Sequence, residues 1–271
     1  MISLLACPGL VYIALCMCTG LQVKFAPDGV TLHEQQTRSS QLRESPKFIL
    51  ISIFDADKKM VKWQCVVSQP FAENTYIASV TGRGDCLVID PGFEPDKVFQ
   101  SLESEDLVPS AILNTHGHSD HIAGNAALKE RWPTAPLVIG HGDANKLTDP
   151  ELNLSATYGL PMVSPPADSV LAAGDIFADA GLEFEVRETP GHSPGHIVFI
   201  CKQHDPWVVF GGDVLFRGSI GRTDFPDGNH EDLLKAVREQ LFTLPDTTII
   251  LPGHGPSTTV GEEKATNPFF A

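Results

Sequence analysis

The chain has 271 residues, 42% of them hydrophobic, with 19 Lys and Arg against 34 Asp and Glu and a formal net charge of −15. That apolar content supplies one large core or two modest domains and excludes a disordered or fibrous chain. A surface this acidic repels phosphate backbones and anionic headgroups, which excludes general nucleic-acid and stable membrane binding; an anionic small substrate is still allowed, because metal ions reverse the potential locally.

Residues 1–20, MISLLACPGLVYIALCMCTG, are apolar, carry no Lys or Arg before Lys24, and are interrupted by Pro8. A secretory signal opens on a basic segment, and a membrane span needs about 20 continuous apolar residues, so neither pattern is met. Residues 25–48 are polar and turn-rich, and ordered alternation begins at Lys62. The expectation is an extension over 1–59 without a catalytic role, either an atypical leader or a mis-assigned start, followed by a single folded domain over 60–271. Six cysteines, none in a CxxC pair, fit a reduced, cytoplasmic protein.

From Met60 onward, 63–68 and 74–80 read as strands joined by a Pro-containing turn, and 86–90 as a strand stopped by Asp90-Pro91-Gly92. A short helix opened by Pro95 is expected to run to Leu102. Residues 110–114 read as a buried strand that delivers the chain into Thr115-His116-Gly117-His118-Ser119-Asp120-His121, with a helix over 122–131 and a strand over 137–139 after it. Strands over 169–171, 176–178 and 182–188 lead into Thr189-Pro190-Gly191-His192-Ser193-Pro194-Gly195-His196. Further strands over 197–201 and 207–210 end on Gly211-Gly212-Asp213. Residues 230–241 form an amphipathic helix with Leu233, Leu234, Val237 and Leu241 on one face, and 247–251 a last strand ending on Pro252-Gly253-His254-Gly255. Two similar halves of strands and helices predict packed sheets with helices outside.

The loops after Asn114, Thr189, Phe210 and Leu251 each carry Gly together with His or Asp, at strand ends where side chains are free but the backbone is held. His116-x-His118-x-Asp120-His121 is the densest. Imidazole with carboxylate suits zinc, iron or manganese rather than the all-oxygen shells of calcium or magnesium. In an extended loop alternate side chains share a face, so His116, His118 and Asp120 are expected to converge, with His121 turned toward a second ion. Two ions about 3.5–4 Å apart call for a bridging carboxylate, and Asp213 is the candidate. A lone histidine such as His192 is more often an ordinary core or surface residue. Four ligand types in one run, with His192, Asp213 and His254 at three further strand ends, are not.

THGHSDH, GHSPGH, GGD and PGH, in this order over residues 62–270, resemble the metallo-β-lactamase superfamily. Asn125 in HIAGN, the stretch GSIGRTDFPDGNHEDLL and Thr266-Asn267-Pro268-Phe269 resemble its hydroxyacylglutathione hydrolase (glyoxalase II)-like branch. The resemblance implies an α+β fold, a four-layer αββα sandwich with its metal site at the edge between the sheets. It implies His116, His118 and His192 on a first metal, Asp120, His121 and His254 on a second, and Asp213 bridging. Two divalent ions are implied, zinc foremost with iron or manganese as alternatives, and Asp120 and Asp213 as catalytic residues. His196 is expected to support the site rather than ligate.

The implied reaction is hydrolysis of a small thioester such as S-lactoylglutathione by a metal-bound hydroxide, without a Ser or Cys nucleophile. Lactones, phosphoesters and β-lactams remain open, as does the oligomeric state. One alternative is a sulfur (persulfide) dioxygenase of the same fold, similar in GRTDFPDG, whose single iron would sit on His116, His192 and Asp213. The other is a non-catalytic metal-binding protein, which a complete set of seven ligands disfavours. Only 17 residues follow His254, so the helical glutathione-binding domain of glyoxalase II is not carried over. Arg222, Asp224, His141 and Tyr158 are the candidates for the mouth of the site.

Overall fold

The chain divides into two units, 1–58 and 59–271. The computed structural model describes residues 60–270 and, before them, only the backbone of five strands. Of these, β1 (Ser3–Cys7), β2 (Leu10–Cys16) and β5 (Phe48–Ile53) pair in that order, and β3 (Leu21–Ala26) pairs with β4 (Gly29–Glu34). The expected role of the extension over 1–59 lies outside the described residues.

In the second unit, β6 (Val61–Ser68), β7 (Glu73–Val80), β8 (Asp85–Ile89), β9 (Val108–Asn114), β10 (Leu137–Gly140) and β11 (Ser169–Leu171) form one sheet, ordered β11-β10-β9-β8-β7-β6. A second sheet is ordered β12-β13-β14-β15-β18-β19, from β12 (Ile176–Asp179), β13 (Leu182–Glu188), β14 (Ile197–Cys201), β15 (Val208–Gly212), β18 (Ile249–Pro252) and β19 (Thr258–Thr259). Between β15 and β18 lies the small hairpin of β16 (Leu215–Phe216) and β17 (Ser219–Ile220). Both sheets are mixed: β8 to β11 run parallel beside the antiparallel β6 and β7, and β15 runs parallel to β18.

Strand alternation assigns every layer. Leu87 and Ile89 of β8, Leu113 of β9 and Phe199 of β14 join Tyr76, Phe184 and Phe210 in the core between the sheets. Their neighbours Val88 and Ile112 face outward onto Val98 and Leu102 of α1 (Pro95–Ser104) and Leu128 of α3 (Asn125–Arg131). On the other side Val198, Ile200 and Val209 pack on Leu233 of α4 (His230–Ala236) and on Val237 and Leu241 after it. Central strands buried on both faces read as unbroken apolar runs, which is why they were visible in the sequence. The result is the four-layer αββα sandwich that the motifs imply.

Several expected boundaries change. The helix over 122–131 is two pieces, α2 (Ser119–Ile122) and α3, because Gly124 packs against the turn after β8: a Cβ there would stand 2.9 Å from the Gly92 carbonyl. The strand over 207–210 continues to Gly212, where it is still registered on β18, so Asp213 follows the sheet directly. The helix over 230–241 is α-helical only to Ala236 and widens into a π-helical turn over Val237–Leu241. Asp90 falls just outside β8, at φ 51, a left-handed conformation that Asp tolerates. Among the described residues, no helix is long and apolar enough to cross a membrane.

Candidate metal centre

Backbone hydrogen bonds draw the four motif loops together across the two sheets. Ile197 N–H donates to Thr115 O at 2.8 Å, Gly253 N–H to Gly212 O at 2.7 Å, and Asn74 N–H to Gly253 O at 2.7 Å. Gly253 must lack a side chain, because a Cβ there would fall on Asp213 Oδ1 and within 2.6 Å of His121 Cε1.

The seven expected ligands form two triads that share Asp213. Ligand atoms of His116, His118 and His192 lie within 4.8 Å of one another, as do those of Asp120, His121 and His254. His118 Nδ1 faces His192 Nε2 at 2.8 Å, and His254 Nε2 faces Asp120 Oδ2 at 3.2 Å. Asp213 Oδ2 lies 3.6 Å from His192 Nε2 and 3.5 Å from His254 Nε2, while its Oδ1 lies 3.4 Å from His121 Nε2. The convergence of His116, His118 and Asp120 expected from an extended loop does not occur. Alternation stops at His118, where the backbone enters α2, and the helical turn carries Asp120 and His121 together toward His254.

This donor set fits metal ions. His116 Nε2, His121 Nε2 and Asp213 Oδ1 are buried without a hydrogen-bond partner, an arrangement costly in a protein unless another species completes it. Burial pushes His116, His118 and His192 below the ordinary imidazole range, and neighbouring imidazoles depress His116 and His118 further. Neutral imidazole is the form that ligates. Burial opposes charge on Asp213 and Asp120 too, but His121 and then His254 together outweigh it and hold both below the usual carboxylate range, while the two carboxylates hold His121 and His254 above the ordinary imidazole range against burial. Two ionised carboxylates in a buried cluster call for compensating positive charge.

The outward nitrogens of His116, His121, His192 and His254 are tied down, which aims the other nitrogen inward. His192 Nδ1 donates to Arg222 O at 2.9 Å and His254 Nδ1 to Phe71 O at 3.1 Å. Asp90 does this for both triads. Its Oδ2 accepts from His121 Nδ1 at 3.1 Å and from Thr115 Oγ1 at 2.6 Å; that hydroxyl in turn accepts from His116 Nδ1 at 3.1 Å. Asp90 also lies in ligand range of His116 and His121, but its Oδ1 is taken by Thr115 N–H at 2.7 Å, so it orients them rather than ligates. Asp90→Asn is expected to weaken metal binding about 10–100-fold, read by competition with a chromophoric chelator. Unchanged affinity would remove Asp90 from this role.

His196 stacks on His116, with ring centroids 5.0 Å apart, and does not ligate. Its Nε2 accepts from Asp213 N–H at 3.1 Å, so the proton sits on Nδ1, which donates to Thr189 Oγ1 at 2.8 Å. Burial lowers its pKa to about 3, so it stays neutral and holds the Asp213 backbone. Asp143 is the other support: it accepts from Gly117 N–H at 2.9 Å, Gly195 N–H at 2.8 Å and Ser193 Oγ at 2.5 Å. Residues 191–195 have the letters of a GxSxG nucleophile elbow, yet Ser193 is fully buried and committed to Asp143, so it is no nucleophile.

Of the mouth candidates, Tyr158 and Arg222 line the cavity over the ligands. Asp224 is exposed and pairs with Arg222, and His141 is exposed at the start of the 3₁₀ turn His141–Thr148, away from that lining. Asp90 and Asp143 escaped the sequence reading because each is a single Asp in a turn, with nothing nearby in the chain to mark it.

The metallo-β-lactamase superfamily domain matches residues 69–254. The chain is 39% identical over 211 residues to "Probable metallo-hydrolase YqgX" of Bacillus subtilis, covering 78% of this chain and 98% of that protein. It is 41% identical over 186 residues to "Hydroxyacylglutathione hydrolase GloC" of Haemophilus influenzae, covering 68% and 86%. Among solved structures it is similar to the BLEG-1 B3 metallo-beta-lactamase (TM-score 0.73, 35% identity, 78% of this chain and 100% of that one). It is also similar to TTHA1623 in a di-iron-bound form (TM-score 0.65, 37% identity, 76% and 99%). A domain match that spans all seven converging ligands, on an αββα sandwich, makes this chain a member of the metallo-β-lactamase superfamily, with the metal-binding groups of a metallo-hydrolase.

Proposed function

We propose that the protein hydrolyses a small thioester, the bond class that hydroxyacylglutathione hydrolases cleave, at a centre of two divalent ions, zinc foremost, with iron or manganese as alternatives. The observation that carries this reading is Asp213, whose two oxygens reach His192 on one triad and His121 and His254 on the other. When bound there, two such ions would lower the pKa of a water toward ~7 and polarise a carbonyl oxygen.

The chain's own residues supply position and shelter. Asp90, Arg222 O and Phe71 O fix the histidine tautomers, so no reorganisation is needed when charge develops. His196 and Thr189 hold the Asp213 backbone from behind. Phe71, Phe216 and Phe225 cover the ligands and keep bulk water from the site. The similarity to GloC supports a thioester, and the di-iron form of TTHA1623 supports a dinuclear centre, since His/Asp sets accept iron as well as zinc. A mononuclear-iron dioxygenase would use only His116, His192 and Asp213, and would leave His121 Nε2 without a partner.

The test is metal analysis of the purified full-length protein with a spectrophotometric thioesterase assay. Two ions per chain are expected, with thioester cleavage abolished by a chelator and restored by zinc or iron. Oxygen uptake with glutathione persulfide and no thioester cleavage would overturn the reading.

A further inference from the structure

The cavity above the metal ligands has a volume of about 210 Å³. At about 30 Å³ per water, that is room for roughly seven waters or one small organic group. Beyond the ligands, its wall is Phe71, Leu154, Tyr158, Phe216 and Phe225, with Ser119 and Arg222. The rings brace one another and the ligands. Phe225 lies 5.1 Å from His118 and 5.6 Å from His192 between ring centroids, and Phe71 lies 5.4 Å from Tyr158. Phe216 stands 6.2 Å from His254.

Arg222 is the cation of this wall, and its charge is already engaged. It makes two 2.9 Å hydrogen bonds to Asp224 and lies 4.5 Å over the Phe225 ring. A hydroxylated acyl group such as lactoyl would find Ser119 and the Tyr158 hydroxyl as the uncharged polar partners on a wall otherwise made of Phe71, Leu154, Phe216 and Phe225. An apolar group there would displace water from carbon surface on several sides.

On the thioester-hydrolysis reading above, but in place of the hydroxyacyl group that the resemblance implies, we propose that the acyl group beside the scissile bond is apolar, aromatic or branched aliphatic, of about the size of phenylacetyl or isovaleryl. The small volume leaves most of a long fatty chain outside the cavity, and Arg222 is paired with Asp224 rather than free. Apolar pockets of this kind discriminate by about 10–200-fold per missing methylene-sized group, which sets the scale of the effect.

The experiment compares N-acetylcysteamine thioesters of acetic, lactic, isovaleric, phenylacetic and palmitic acids on the zinc-loaded full-length protein, so that the leaving group is constant. The kcat/KM for phenylacetyl and isovaleryl is expected to exceed that for acetyl and lactoyl by about tenfold or more, with palmitoyl below phenylacetyl. Phe71→Ala should narrow the phenylacetyl-to-acetyl ratio, and Phe71→Leu should retain most of it. Independently of any variant, phenylacetamide should inhibit the parent protein more tightly than lactamide. Ratios near one, faster lactoyl cleavage, or equal inhibition by the two amides would overturn the inference while leaving thioester hydrolysis in place. Cleavage of none of the five would overturn the hydrolysis reading and this inference together.

Discussion

Asp213→Ala is expected to leave a folded protein that holds at most one metal ion per chain and has lost thioester hydrolysis by about 10³-fold or more, roughly 4 kcal/mol of barrier at 1.36 kcal/mol per tenfold. The carboxylate stands between the two triads, within 3.4–3.6 Å of His121, His192 and His254. Its removal separates the triads electrostatically and leaves three imidazoles facing an unfilled space. The backbone stays in place, since Asp213 N–H still donates to His196 Nε2 and the preceding strand remains paired with β18. Asp213→Asn keeps the shape but not the charge and is expected to fall between the variant and the parent. Metal analysis and steady-state kinetics on the same preparations decide the matter. Two tightly bound ions with more than about a tenth of parental activity would remove Asp213 from the bridging position.

Asp143→Ala should produce the largest loss of stability. Asp143 is fully buried and stitches the loop of His116 and His118 to the loop of His192 through Gly117, Ser193 and Gly195. Its removal strands two buried N–H groups and a hydroxyl, at about 1–3 kcal/mol each, for a total of roughly 3–9 kcal/mol. Water has little access, because Gly195 packs against the Asp143 backbone so closely that a Cβ there would collide with it. For a domain of this size, with roughly 2–4 °C lost per kcal/mol, the melting temperature should fall by about 10 °C or more. Metal affinity should fall with it, since the loops that carry the first triad lose their common anchor. A variant that melts within about 3 °C of the parent would show that the loops are held by other means. Asp143→Asn retains one acceptor oxygen and should lose about half as much.

How much of this was legible in the sequence depended on how locally each signal is written. The run from His116 to His121, with His192, Asp213 and His254, could be picked out because ligand residue types are rare in such density. The conformation of the run could not. Alternation in an extended loop predicts His116, His118 and Asp120 together; in the structure α2 begins at Ser119 and sends Asp120 to His254 instead. Whether a loop is extended or turns helical at one residue is settled by packing such as that of Gly117 on Lys146 and Asp143, and those partners lie some 25 residues on in the chain. The cavity wall was hidden for a related reason. Phe71, Phe216 and Phe225 look like core residues, and only the course of three separate loops places them above a metal centre.

The sequence by itself determined the layers, because Leu87, Val88 and Ile89 and their counterparts alternate between two apolar surfaces and period-2 burial leaves little freedom of register. It also picked out the seven candidate ligands, since their chemistry is carried by the residue types themselves, and the structure brings them together. Only the tertiary structure decided which ligand shares a centre with which, that Asp90 and Asp143 hold them there, and that the entrance is aromatic. Those properties belong to contacts between residues 25 or more positions apart, such as Asp90 with Thr115, Asp143 with Gly195 and His118 with His192, and no local pattern in the chain encodes them.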